Sequence, residues 1–226
     1  MNPVSVIGGS GELGFGLALR LGHAGIPIVI GSRDVERAQE AVGRLRGRVP
    51  AGRFEAADNA TAAERGHIVL LSVPFANHEK TLRTLSRTLS PGQILVDATV
   101  PLASAVGGAP TRMLGVWQGS AAQQAAEIVP DGVGVVAALH TIAAGHLKDL
   151  AHPLEQDVLV TGDSLAEKRA VAELLHNIPG LRCVDCGALE MARVTEQLTP
   201  LLINLNLHYK VKSGLRIAGL PDELWA

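Results

Sequence analysis

"VSVIGGSGELG", residues 4–14, decides the fold. Four apolar or small residues run directly into glycines, and Gly9-Ser10-Gly11-Glu12-Leu13-Gly14 spells G-x-G-x-x-G. The pattern means little alone. Here it follows a short strand and opens a helix, because Leu13, Leu17 and Leu21 recur at helical spacing until Gly25. A strand, a glycine loop and a helix N-terminus form a cradle for a pyrophosphate. The glycines allow the tight turn, and the helix amides face the anion.

The same alternation continues outward. "PIVIGSR" (27–33) is a second strand, and "DVERAQEAVGRLRGR" (34–48) is an amphipathic helix with Asp34 placed as its cap. "FEAADNATAAERG" (54–66) supplies a third strand and helix, "HIVLLSVP" (67–74) a fourth strand, "HEKTLRTLSRTL" (78–89) a helix and "QILVDATVP" (93–101) a fifth strand. Strands this uniformly apolar are covered on both faces, which predicts a parallel sheet wrapped by helices. "LASAVGGAPTRMLGVWQGS" (102–120) reads as a long loop and "AAQQAAEIVP" (121–130) as a helix. "VGVVAALHTI" (133–142) reads as a sixth strand, "DVLVTGD" and "LRCVDCG" as two more around a helix, and 189–214 as a long helix kinked at Pro200. The expected class is α/β: a Rossmann-like, doubly wound, mostly parallel sheet with a C-terminal helical segment. Residues 1–186 are expected to form the nucleotide-binding domain, and 187–226 the segment that closes a second pocket.

Bulk properties narrow the function. Twenty Lys and Arg against twenty-two Asp and Glu leave a net charge of −2, which gives no general attraction to nucleic acid or to an anionic membrane. The opening apolar run has no basic segment before it, and "VGVVAALHTIAAGHL" is too short to span a bilayer. A cytoplasmic protein is expected. The two cysteines, Cys183 and Cys186, read as ordinary residues at a strand end rather than as a redox pair or half a metal site, and no metal is expected.

The end of the second strand reads the adenosine ribose in such folds, and NAD sites place an acid there, about twenty residues past the glycine loop. This sequence has Ser32 and Arg33 instead. A guanidinium can pair bidentately with a phosphate, a hydroxyl can donate to it, and Arg37 lies one helical turn on. With Ser10 in the loop, the set is suited to a 2′-phosphate, so NADP(H) is the expected cofactor.

At the reacting end, the strands deliver Ser72-Val73-Pro74-Phe75, Asp97 to Pro101, and His140-Thr141-Ile142. Most of these are small or apolar. His140 stands out, either as a donor to a substrate atom or as a histidine bonded to nearby backbone. His78 reads as a cap or surface residue. Related folds use a lysine on the following helix as proton donor, but Arg193 occupies that region, and an arginine does not release its proton. A site so poor in acid–base groups suits an acceptor that is itself a cofactor, with the protein aligning two rings.

Taken together, "GGSGELGFGLALRL", "VIGSR", "LLSVP", "SAAQQAAEIVP", "VVAALHTI", "LRCVDCGAL" and "ARVTEQLTPLLINLN" resemble the NADPH-dependent coenzyme F420 reductases, or F420H2:NADP oxidoreductases, of archaea and actinobacteria. The resemblance covers nearly the whole chain. It implies hydride transfer between nicotinamide C4 and C5 of the 5-deazaflavin of F420, stacked face to face. Gly9 to Gly14, Ser32, Arg33 and Arg37 would hold NADP(H), and Ser72 to Phe75 and Pro101 would line its reacting end. His140, Thr141 and Ile142 would line the deazaflavin pocket, closed by the C-terminal helix around Arg193 and Leu205. A homodimer is implied. Ser10 replaces a familiar threonine and Arg37 a familiar lysine, both keeping the chemistry, and 103–119 is longer than in archaeal members. Two other readings stay open: a reductase of a small imine or carbonyl, for which only His140 or Tyr209 could donate the proton, and a non-catalytic NADP(H)-binding sensor.

Overall fold

A computed structural model describes residues 2–221 and 224–225. The elements alternate as β1 (Val4–Ile7), α1 (Glu12–His23), β2 (Ile28–Ser32), α2 (Val35–Arg48), β3 (Phe54–Asp58), α3 (Asn59–Arg65), β4 (Ile68–Leu71), α4 (His78–Leu85) and β5 (Ile94–Asp97). There follow α5 (Ala121–Ile128), β6 (Gly134–Ala137), α6 (Ala144–Leu147), β7 (Gln156–Gly162), α7 (Leu165–Leu175), β8 (Leu181–Asp185), α8 (Ala192–Thr195) and α9 (Leu198–Tyr209). The strands form one sheet in the order β3-β2-β1-β4-β5-β6-β7-β8. All neighbours are parallel except β6 and β7, which meet antiparallel over Val136–Gly162 and Ala137–Thr161.

Side chains alternate across each strand, so each strand feeds two cores. Val6, Leu70 and Val96 pack on one face with Leu17, Leu21 and Leu45 of α1 and α2. Ile7, Leu71 and Leu95 pack on the other with Ala62 of α3, Leu82 and Leu85 of α4, and Ala122 of α5. Strand order reverses between β1 and β4, and ligands in such sheets bind outside the carboxyl ends at that switch. Register aligns those ends: Ile7 lies beside Gly31 and Leu71, and Asp97 beside Leu71 and Ala137.

The structure differs from the sequence reading at three points in two elements. β6 stops at Ala137, because Leu139 takes a left-handed conformation with φ of 71° and turns the chain out of the sheet. His140 therefore sits on a turn beyond the strand. The long C-terminal helix breaks at Glu196–Gln197, one turn before Pro200. Pro200 has no N–H for the Glu196 carbonyl, which takes the Thr199 amide at 3.2 Å instead, while the proline itself is tolerated in the first turn of α9. Helix also ends at Tyr209. Beyond it the chain returns to the β7–β8 edge, where Arg182 pairs bidentately with buried Asp157 at 2.8 Å and donates to the carbonyls of Ile217, Leu220 and Pro221.

Candidate functional site

Most helices of the sheet's carboxyl edge are capped by a side chain. Asp34 accepts from the Glu36 and Arg37 amides, Asp58 from Ala60 and Thr61, and Ser120 from Gln123. α1 and α4 are not: their caps, Gly11 and Asn77, make no side-chain hydrogen bond to the helix, and at α1 the cap has no side chain at all. The first amides of α1 are thus left for a ligand or water. Two glycines shape the turn that exposes them. Gly8 has φ of 78°, and a Cβ on Gly14 would lie 2.5 Å from Ser72 Oγ and 2.8 Å from the Gly8 carbonyl. Only glycine lets α1 approach β4 this closely.

The turn opens on a cavity of about 440 Å³ lined by Gly8, Ser10, Gly11, Ser32, Arg33, Asp34, Arg37, Asn59, Ser72, Val73, Pro74, Asn77 and Thr81. One wall is the glycine loop and another the end of β2. Arg33 is held there by donating from Nη1 to Asn77 Oδ1 at 3.1 Å. The one carboxylate in the lining, Asp34, accepts the Glu36 amide at 3.0 Å and is committed to the α2 cap. What remains is two guanidiniums, the hydroxyls of Ser10, Ser32 and Thr81, and unused helix amides, a donor set for anions. Asn59, Asn77 and Thr81 were not legible as lining residues, since each comes from an element whose placement depends on the folded sheet.

The residues that directly follow β5 and β6 are buried. Pro101, Thr141 and Ile142 are buried, and His140 is 7% exposed with no hydrogen-bond partner on Nε2. Burial pulls the His140 imidazole down to about 4 despite the nearby Asp97, so the ring is neutral at ordinary pH. Its carbonyl accepts from Thr199 Oγ1 of α9 at 2.9 Å, tying the C-terminal segment to this turn.

His78 corrects the sequence reading: it is neither cap nor surface residue but fully buried. Its Nε2 lies 2.6 Å from Asp97 Oδ2 and its Nδ1 3.1 Å from Gln124 Oε1. Burial disfavours the imidazolium, but the charge and hydrogen bond of Asp97 outweigh it and raise the pKa. Burial likewise penalises the Asp97 carboxylate, and His78 outweighs it, holding Asp97 below its ordinary range. Glu196 lies nearby, 1% exposed, accepting the Ala121 and Ala122 amides at the start of α5 at 3.0 and 3.1 Å. Burial pushes its carboxyl up to about 8.

Of the expected residues, Phe75, Arg193, Leu205 and Glu12 stand apart from the lining of the 440 Å³ cavity. Phe75 lines a neighbouring depression of about 720 Å³ with Gln124 and Trp117. Arg193 is exposed beside Gly119 and donates to the Glu190 carbonyl at 3.0 Å. Leu205 is half-buried on α9. Glu12 faces Lys148 rather than the cavity. Both cysteines are free thiols, and burial pushes Cys183 up to about 12. Among the described residues, no group of three His, Cys, Asp or Glu could hold a metal ion, and no helix is long and apolar enough to cross a membrane.

A family profile described as "NADP oxidoreductase coenzyme F420-dependent" matches residues 3–101. The F420-dependent NADP reductase of Methanothermobacter marburgensis is 40% identical over 223 residues, covering 97% of this chain and 99% of the relative. That of Methanocaldococcus jannaschii is 39% identical over 222 residues, covering 96% and 98%. A crystal structure assigned as an F420-dependent NADP-reductase from Arthrobacter sp. FB24 superposes with a TM-score of 0.82 at 26% identity, covering 96% of this chain and all of the other.

Proposed function

The chain belongs to the family of F420-dependent NADP reductases, and on that premise we propose how its site divides the work. The enzyme transfers a hydride between NADP(H) and coenzyme F420. One observation carries the assignment of the NADP(H) end: a single cavity joins the uncapped start of α1 to Ser32, Arg33 and Arg37, with its only carboxylate already committed. The α1 amides and the glycine loop hold the pyrophosphate, and Ser10, Ser32, Arg33 and Arg37 hold the 2′-phosphate. Ser72, Val73 and Pro74 guide the dinucleotide across the β1–β4 switch toward Pro101.

When bound, the two cofactors would supply the chemistry themselves, a hydride passing reversibly between nicotinamide C4 and deazaflavin C5. The chain's own task is to align two rings and exclude water. His140, Thr141 and Ile142 line the deazaflavin side. Residues 1–186 form the NADP(H)-binding part, and 187–226 close the pocket, a reading supported by the Thr199 bond to the His140 turn. Leu201, Leu207 and Tyr209 leave apolar surface exposed on α9, which supports a homodimer with that helix at its interface.

His140 is neutral and buried, so its role is orientation. Stopped-flow traces of His140→Ala are expected to show hydride transfer slowed by about tenfold, below the roughly 10²–10⁴-fold cost of losing a general acid. A neutral ring also predicts no His140 titration in the rate above about pH 5. Complete loss of turnover in a folded variant would instead make His140 a proton donor.

A further inference from the structure

Glu12 is the first residue of α1, at the helix end assigned above to the pyrophosphate. A carboxylate there suits the helix dipole but repels a second anion on the same amides. Its partner is Lys148, whose ammonium contacts Glu12 Oε2 across 136 residues of chain. Lys148 reaches it by an unusual amount of fixed structure. Arg20, 3% exposed on α1, donates from Nε to the Leu147 carbonyl at 3.1 Å and from Nη2 to the carbonyls of His146, at 3.0 Å, and Asp149. Leu147 packs where a Cβ on Gly16 would lie, 2.5 Å from its own Cβ. Arg48 of α2 donates from Nη2 to the Lys148 carbonyl at 2.7 Å. The backbone carrying Lys148 is therefore bolted to α1 and α2, with the ammonium delivered to the head of α1.

An exposed ion pair adds little to stability, so this scaffolding is out of proportion to a stabilising role. We propose that Lys148 is a positioning residue for the dinucleotide: it holds the Glu12 carboxylate and cancels its charge, so that the α1 amides can receive the pyrophosphate. This rests on the reading of the glycine loop as the NADP(H) site. Lys148 acts through Glu12 and not by contact with the cofactor. The Glu12 carboxyl lies below its ordinary range, with the hydrogen bond and charge of Lys148 as the leading causes, in keeping with a persistent pair.

Fluorescence titration of NADPH and of NADH tests it, using wild type, Lys148→Gln and the double variant Glu12→Gln/Lys148→Gln. In low salt, Lys148→Gln should weaken both dinucleotides by the same factor, about tenfold, because both carry the pyrophosphate. The double variant should return to within about twofold of wild type, since no uncancelled carboxylate remains. Wild-type affinity in Lys148→Gln would overturn the proposal. So would a double variant as weak as the single one, which would make Lys148 a direct ligand. Wild-type protein that binds neither dinucleotide would overturn the functional reading itself, a result the variants cannot imitate.

Discussion

Asp97→Ala is expected to lower the unfolding free energy by about 3–5 kcal/mol, the loss typical of removing one partner from a buried pair. For a chain of this length that is a fall in Tm of roughly 10 °C. Asp97 and His78 are both fully buried, and Asp97 also accepts the Thr99 amide at 2.9 Å. Alanine would strand the imidazole and that amide together. Asp97→Asn keeps an acceptor and should lose clearly less. The pair also sets a pH window. Asp97 is held below its ordinary 3.8, so its contribution is complete above that value and is lost as pH falls through the folded value. His78 is raised above its ordinary 6.5, so its contribution is complete below that value and is lost as pH rises through the folded value. The penalty of Asp97→Ala should therefore be greatest between these two values. Thermal melts across pH check this, and a variant with wild-type Tm throughout would contradict it.

Arg33→Ala should weaken NADPH binding by roughly 10- to 100-fold, from the loss of about 1.5–3 kcal/mol of charge-assisted hydrogen bonding. NADH, which lacks the 2′-phosphate, should bind the variant and the wild type alike. Arg33 is anchored by Asn77, so little ordering remains to be done when the phosphate arrives. Parallel titrations of the two dinucleotides read the effect. Equal losses for both would remove the 2′-phosphate from this corner of the cavity.

The fold was legible because its signals are local. The strand, glycine loop and helix at 4–23 lie within one stretch, and Asp34 announces its cap in the dipeptide before α2. Ser32 and Arg33 gained meaning from their distance to the loop alone. The misreadings are of a different kind. His78 and Asp97 stand 19 residues apart and meet only after α4 has been laid between β4 and β5. Lys148 reaches Glu12 only after α6 docks on α1, and Glu196 reaches α5 from the far end of the chain. β6 looked longer than it is because "VVAALHT" continues apolar past the point where Leu139 turns. At Pro200 the sequence identified the right residue, while the missing N–H takes its effect one turn upstream, at the carbonyl it fails to meet.

The central claim is that one site brings NADP(H) and F420 together, with the 2′-phosphate as the mark of the accepted dinucleotide. It is tested most directly by mixing purified protein with NADPH and oxidised F420 and following the deazaflavin's visible absorbance, with NADH in parallel. Rapid bleaching with NADPH and little with NADH is the predicted result. No bleaching in protein that demonstrably binds NADPH would contradict it.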